Sequence, residues 1–335
     1  MLTRRDVLVG LVPQGVTSGL RSQGAVSGTA RRIGILAWGR PKDELDFERS
    51  FLAAMSKRGW SSGTNIAITR LYAEESAERL AALANELVGS RMDVIVTGGN
   101  VTTIAAARAT TSIPIVFAAS LPFAVEQGLI DSFARPGRNV TGAGTDRELA
   151  VKRLQYLKQL VPSAKRLAWF LPDALASVEK LSGGRVDILP VLSEMARQVG
   201  FETRFFATRA DKDMAAMFTE IDAWGAHALY ASISMNDQPR QLAEMAFRRK
   251  LPSAFPQREA VDAGGLLSYA ALSYGNQFFA QRAAEYVDRV LRGARPATLP
   301  VEFATRYELL INAKTAETFG LSIPRSLLLS AELVR

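Results

Sequence analysis

The chain reads as an α/β protein of two successive halves, each a parallel sheet covered by helices. Three observations predict this. Its 335 residues exceed one ordinary compact core and suit two domains of roughly 130–150 residues each. From Arg31 onward, short and nearly continuous apolar runs alternate with segments of helical period, the pattern of a parallel sheet buried on both faces. Near residue 150 the alternation starts again and repeats the first architecture.

The elements follow in order. Residues 32–37 form a buried-strand run, and a helix with Phe47, Phe51, Leu52 and Met55 at three- and four-residue spacing follows, stopped by Gly59. Residues 66–71 are the second strand. Residues 76–88 are a helix with Leu80, Leu83, Ala84, Leu87 and Val88 on one face. Residues 93–97 and 113–117 are the third and fourth strands, separated by a helix over about 102–109. Proline and glycine at Pro136, Gly137 and Gly142 break the pattern at the boundary between halves, with a short crossing strand.

In the second half, helices are expected over 149–160, 191–199, 213–224 and 239–249. Strands are expected over 166–171, 201–206, 228–231, 251–255 and 265–269. A long helix over 276–291 is placed back on the first lobe, and strands over 299–303 and 307–311 close the chain. The domain reading is therefore 1–30 as an export signal, 31–140 with about 270–295 as lobe 1, 141–269 as lobe 2, and 296–335 as a C-terminal segment closing the lobes.

The start of the chain supports export. Arg4 and Arg5 precede a weakly apolar stretch over 7–20, and small residues follow at Gly24, Ala25, Ser27 and Gly28. Positive, apolar, then small is the order of a secretion signal, and the paired arginines resemble a twin-arginine signal. No run reaches the roughly 18 apolar residues of a membrane span, so the mature chain is expected to be soluble.

Composition removes several classes of chemistry. With 48% hydrophobic and 22% charged residues, the chain has the composition of an ordinary globular protein. It has no cysteine, so disulfides, thiolate metal sites, cysteine nucleophiles and a cysteine-borne lipid anchor are excluded. The one histidine, His227, has no partner ligand in sequence reach and reads as structural. No metal, cofactor or catalytic residue is expected. The net charge of +8 is scattered among acids, without the basic, aromatic-interleaved patch of a nucleic-acid binder. A dinucleotide fingerprint is missing after the first strand, where Trp38-Gly39-Arg40-Pro41 stands, and this counts against an α/β enzyme.

Ligands of open α/β sheets bind beyond the carboxyl ends of the strands, and two facing sheets would frame a cleft between lobes. The candidate ligand-binding residues lie there. On the first lobe they are Trp38, Gly98, Gly99, Asn100, Thr102, Thr103, Ala119 and Ser120. On the second they are Asp173, Ser232, Asn236 and Phe255. Residues 98–103 follow a strand and open a helix, so glycine backbone and free N–H groups can approach an anion. The same residues also read as a glycine turn with Thr102 as helix cap. Trp38 either stacks on a ligand ring or packs in the core. Asp173 and Asp237 are candidate partners for a ligand amine, or turn and helix-start aspartates.

These segments carry a resemblance. Arg32-Ile33-Gly34-Ile35-Leu36, Asp93-Val94-Ile95-Val96-Thr97-Gly98-Gly99 and Ile113-Pro114-Ile115-Val116-Phe117 come first in order. Gly128-Leu129-Ile130, then residues 134–142 with Asn139-Val140-Thr141-Gly142, and Lys152-Arg153-Leu154 follow. Residues 264–269, residues 283–288, Leu299-Pro300-Val301-Glu302, Ile311-Asn312 and Thr315-Ala316 complete the series. Together they resemble the ABC-transporter substrate-binding family that includes tryptophan- and tyrosine-type binding proteins. The resemblance implies a type I periplasmic-binding-protein fold, two Rossmann-like lobes joined by a hinge. It further implies a monomer in the periplasm that binds a small molecule, such as an amino acid or aromatic acid, and hands it to an ABC permease in the inner membrane. A sensory protein signalling to a membrane partner would share the fold. Leu121-Pro122 stands where the family often has Asp-Pro, and residues 232–236 lack an early aspartate; both departures weigh against an amino-acid ligand.

Overall fold

The apolar runs pair into two separate sheets. The computed structural model describes residues 30–43, 45–118, 123–145, 147–172, 188–208, 214–232, 239–271 and 276–335. The first sheet comprises β1 (Arg31–Ala37), β2 (Ile66–Tyr72), β3 (Val94–Thr97), β4 (Ile115–Ala118), β5 (Val140–Gly144) and β11 (Glu302–Phe303). Its order is β11-β5-β4-β3-β1-β2, and every pair is parallel. The second sheet comprises β6 (Arg166–Pro172), β7 (Glu202–Thr208), β8 (Ala228–Ala231), β9 (Ser253–Phe255), β10 (Leu267–Ala271), β12 (Tyr307–Asn312) and β13 (Glu332–Val334). Its order is β13-β12-β10-β9-β8-β6-β7.

Helices cover both faces of each sheet. On the first, α1 (Leu45–Ser56) and the long α9 (Asn276–Leu291) share one face, while α2 (Ala77–Gly89) and α3 (Asn100–Ala109) cover the other. On the second, α4 (Glu148–Leu160) and α5 (Leu189–Gln198) oppose α6 (Met214–Trp224), α7 (Pro239–Arg248) and α8 (Arg258–Asp262). Strands buried on both sides explain the continuous apolar runs: every residue of β3, β4 and β8 is buried. α2 starts where Ser76 Oγ accepts from Arg79 N at 3.2 Å, and α1 gives way to a turn at Gly59, whose φ is 89°.

Between the described elements the chain passes from the first sheet to the second lobe between β5 and α4, back to the first between β10 and α9, and to the second again through residues 304–306 before β12. The expected C-terminal segment is thus shared, with β11 on the first sheet and β12 and β13 on the second. β12 runs antiparallel to β10, an exception to the parallel pairing expected of the sheet. The cause is the direction of entry: β11 runs parallel to β5 and ends at the carboxyl edge of the first sheet, so the three residues that follow deliver β12 to the carboxyl edge of the second, from which it runs against β10. The short helices α10 (Ala313–Thr318) and α11 (Arg325–Ser330) and strand β13 were not foreseen; six residues are too few for a readable period.

Two of the resembling motifs are structural. Asn139 Nδ2 donates to Thr110 O at 3.0 Å and Ile113 O at 2.8 Å, and Thr141 Oγ1 donates to Leu299 O at 2.8 Å. A Cβ on Gly142 would lie 2.1 Å from Phe117 O. In the second motif, Asn312 Oδ1 accepts from Thr315 N at 2.8 Å while its Nδ2 donates to Val261 O at 2.8 Å, capping α10 and tying the end of β12 to α8.

Candidate functional site

Both sheets contain the strand order 2-1-3-4-5, as β2-β1-β3-β4-β5 and β7-β6-β8-β9-β10. In such sheets the crevice opens where the order reverses, beyond the carboxyl ends of the two strands flanking that point. On the first sheet these are β1, followed by Trp38, and β3, followed by residues 98–103. On the second they are β6 and β8, the latter followed by Ser232. The topology therefore brings the main candidate segments to the two switch points.

On the first lobe, Trp38 is half-buried against the α2–α3 core. Gly98 is exposed, and a Cβ built on Gly98 or Gly99 would meet nothing within 4 Å, so open space lies before both residues. The helix starts at Asn100 with Gly99 as its N-cap, two residues earlier than expected, so Thr102 is not the cap. Instead Gly99 N donates to Thr102 Oγ1 at 3.1 Å, and Thr103 Oγ1 donates to Gly99 O at 2.7 Å. Thr103 also meets Thr97 Oγ1 at 2.8 Å. Both threonines are buried and shape the loop from beneath. Thr103→Val, which keeps shape and loses the hydroxyl, should cost about 1–3 kcal/mol in urea denaturation because it strands buried Thr97 Oγ1, while Gly99 O keeps the Thr103 N–H and Thr102 Oγ1 as donors.

Among the described residues, buried Asn100 Oδ1 at the start of this helix has no hydrogen-bond partner, and neither have Oε1 and Nε2 of Gln127, in the segment that follows β4. A buried polar atom left without a partner costs about 1–3 kcal/mol. Gln127 was missed by the sequence reading, and nothing in its local pattern marks it. Its segment bridges the lobes, since Phe123 packs in the second-lobe core and Ala124 and Leu129 in the first. Arg147, in the first crossing, reaches back to Glu126 at 3.1 Å.

On the second lobe, Ser232 is half-buried and its Oγ accepts from Trp169 Nε1 at 2.9 Å. Trp169 packs on Tyr230 with centroids 4.5 Å apart. Phe255 is fully buried among Phe170, Phe218 and Leu242, so in this conformation its side chain serves the core. Ala119, Ser120, Asp173, Asn236 and Asp237 lie outside the described residues, as do Leu121, Pro122 and all but the last residue of the expected export signal, 1–30. His227 is held structurally, its Nδ1 accepting from Lys165 N at 3.0 Å.

Arg153 was quoted in the sequence only as part of a motif. It is 1% exposed on α4. Its Nε and Nη2 donate to Tyr269 O at 3.1 and 2.7 Å, and Nη1 donates to Tyr230 Oη at 2.9 Å. Burial pushes the Tyr230 phenol up, which the Arg153 charge only partly opposes. A signal existed: Arg153 falls on the stripe of Leu149, Leu157 and Leu160, where a cation is out of place.

A separate concavity of about 770 Å³ lies at the opposite edge of the first sheet, lined by Arg31, Asp93, Asn139, Arg292 and Arg295 among others. Arg31 pairs with Asp93 at 2.9 Å and Arg292 with Asp288 at 2.6 Å, so much of its charge is spent. It adjoins the amino ends of the strands, away from both switch points, and is not the site the topology selects.

A family model described as ABC transporter substrate binding protein matches residues 43–335. The chain belongs to this family. Proteins of this family bind small molecules and work with ABC permeases, generally outside the cytoplasm, and theirs is not an enzyme family. The substrate-binding protein is 26% identical to a tyrosine-binding protein of Clostridioides difficile, over 82% of this chain and 76% of the relative. Its fold matches an ABC domain from Streptococcus pneumonia in complex with L-Trp, at 21% identity and TM-score 0.73, covering 92% of this chain and 100% of the other. A conserved domain protein from Vibrio cholerae matches at 22% identity and TM-score 0.74, with the same coverage. These solved structures establish the type I binding-protein fold. Among the described residues no helix is long and apolar enough to cross a membrane.

Proposed function

We propose that this substrate-binding protein is exported to the periplasm, captures an amino acid or aromatic acid between its lobes as a monomer, and delivers it to an inner-membrane ABC permease without chemical change. Its ligand contacts come from Trp38, Gly98, Gly99, Asn100 and Gln127 on the first lobe and Ser232 on the second. The observation that supports this reading is the unpartnered, buried Asn100 Oδ1 directly after Gly98 and Gly99, the two residues that face open space. A guest bound there supplies the missing hydrogen bonds and, by touching both lobes, favours the closed form. The tyrosine-binding relative and the L-Trp complex of a similar fold support an aromatic guest.

A thermal-shift screen of amino acids, aromatic carboxylates, sugars and sugar alcohols tests the reading. A binder at 100 times its dissociation constant should add about 2.7 kcal/mol to stability. Trp38→Ala should weaken that binder about tenfold or more while the apo protein still folds, since the ring is only half-buried. Unchanged affinity would remove Trp38 from the site. Gly99→Ala should leave the melting temperature nearly unaltered, because its φ of −177° suits any residue and its Cβ would enter open space. It should nevertheless lower affinity by obstructing the guest, and full affinity in this variant would move the ligand away from the loop.

A further inference from the structure

The three passages between lobes all root in the second lobe at one cluster. The first leads into α4, which carries Arg153 and Tyr156. The second leaves from β10, which carries Tyr269, and the third arrives at Tyr307, the first residue of β12. Tyr156 meets the Tyr269 ring edge-on at 5.1 Å, and Tyr307 stacks on Tyr269 at 5.7 Å. This cluster therefore lies in the second-lobe core beneath the side from which the chain crosses to the first lobe. Phe123, reaching over from the first lobe, packs in the same core.

In that cluster sits a buried positive charge with no carboxylate partner among the described residues. Arg153 is 1% exposed, and its hydrogen-bond partners are a carbonyl and a phenol, both neutral. Its charge also lies 5.4 Å from the Tyr230 ring centre. No described carboxylate lies within ion-pair distance of it, whereas the exposed arginines Arg31, Arg138, Arg197 and Arg258 each have one. Of five guanidinium N–H groups, three are used. A buried cation without an acid partner is costly, and the low-dielectric surroundings project its field instead of damping it.

We propose that Arg153 is a specificity-determining residue that makes the cleft select solutes bearing a carboxylate without a compensating ammonium. The proposal rests on the binding reading above and narrows it to anionic ligands, in particular aromatic acids. Tyr230, bonded to Arg153, precedes Ser232 by two residues, which puts the guanidinium roughly 10 Å from the strand-end surface. At that range, with an effective dielectric constant of about 20, one charge changes affinity for a monoanion by about tenfold.

The test compares matched pairs of acid and primary amide, 3-phenylpropionate with 3-phenylpropionamide and indole-3-propionate with its amide, and includes L-tryptophan. Affinities are measured by thermal shift and titration calorimetry on the full mature protein, its Arg153→Lys and Arg153→Met variants, and Tyr230→Phe. The wild type should bind each acid about tenfold or more tightly than its amide. Lys should keep the preference, Met should abolish it, and Tyr230→Phe, which leaves the charge in place, should retain it. An acid preference undiminished in a folded Met variant would overturn the assignment. Equal or tighter binding of the amides by the wild type would do the same, and that arm stands even if the Met variant does not fold. Binding of L-tryptophan or a sugar with none of the acids would overturn the charge assignment while sustaining solute capture. Complete silence of the wild type towards the whole screen would instead fall on the binding reading itself.

Discussion

Gly142→Ala should be the most damaging single methyl group in the first lobe, lowering stability by about 3 kcal/mol or more. Gly142 pairs with Phe117 across β4 and β5 and has a φ of 152°, outside the range of ordinary side chains. The added Cβ would lie 2.1 Å from Phe117 O and 2.8 Å from Phe117 N. Both are backbone atoms of a central strand, so no rotamer change relieves the clash and the two strands must separate. Overpacking that side chains can absorb costs about 1–3 kcal/mol, and this case exceeds it. Gly99→Ala is the internal control, since its new methyl meets open space. Urea unfolding followed by circular dichroism checks the pair, and wild-type stability in Gly142→Ala would refute the stated cause.

Trp169→Ala should cost the second lobe about 3–5 kcal/mol. The ring is 1% exposed, lies 4.5 Å from Tyr230 and 5.9 Å from Phe205, and donates to Ser232. Truncation opens a cavity in the middle of the sheet that Arg153 and the strand-end loop share. Trp169→Phe should recover most of the stability, because it restores the ring volume, but not the position of Ser232. Ligand affinity should therefore stay reduced in Trp169→Phe after its melting temperature has largely returned. Parallel recovery of both would mean that the hydrogen bond to Ser232 does not matter for binding.

Much of this architecture was legible in the chain because strands buried on both faces leave an unmistakable apolar signature. β1, β3, β4 and β8 fell within a residue or two of their expected positions, and α9 spans the predicted 276–291. Strand order, and with it the switch points, is a long-range property that no local period encodes. The antiparallel β12 follows from the edge at which the chain re-enters the second sheet from β11, which appears only once both sheets are known.

The site was less legible, for a different reason. Residues 98–103 announce themselves through glycines at a strand end. Gln127 matters through what its amide lacks, and an absent partner cannot be read from a one-dimensional string. Phe255 stands at a strand end like Trp38, yet its ring turns into the core and packs against Gly265, where a Cβ would lie 2.8 Å from that ring. The motif residues Asn139, Thr141, Gly142, Asn312 and Thr315 hold strands and caps together, so these family features build the frame, whereas Gly98, Gly99 and Arg153 of the same series are the ones proposed above to act on the ligand.

Leu45 and Leu189 open α1 and α5 just beyond the carboxyl ends of β1 and β6, one on each lobe, and both are exposed. The chain has no cysteine, so Leu45→Cys with Leu189→Cys accepts a pair of spin labels at those two positions alone. The distance between the labels should shorten and its distribution narrow when the tightest binder from the screen is added at saturation. A distribution that does not move while calorimetry shows the site filled would contradict capture by closure of the two lobes.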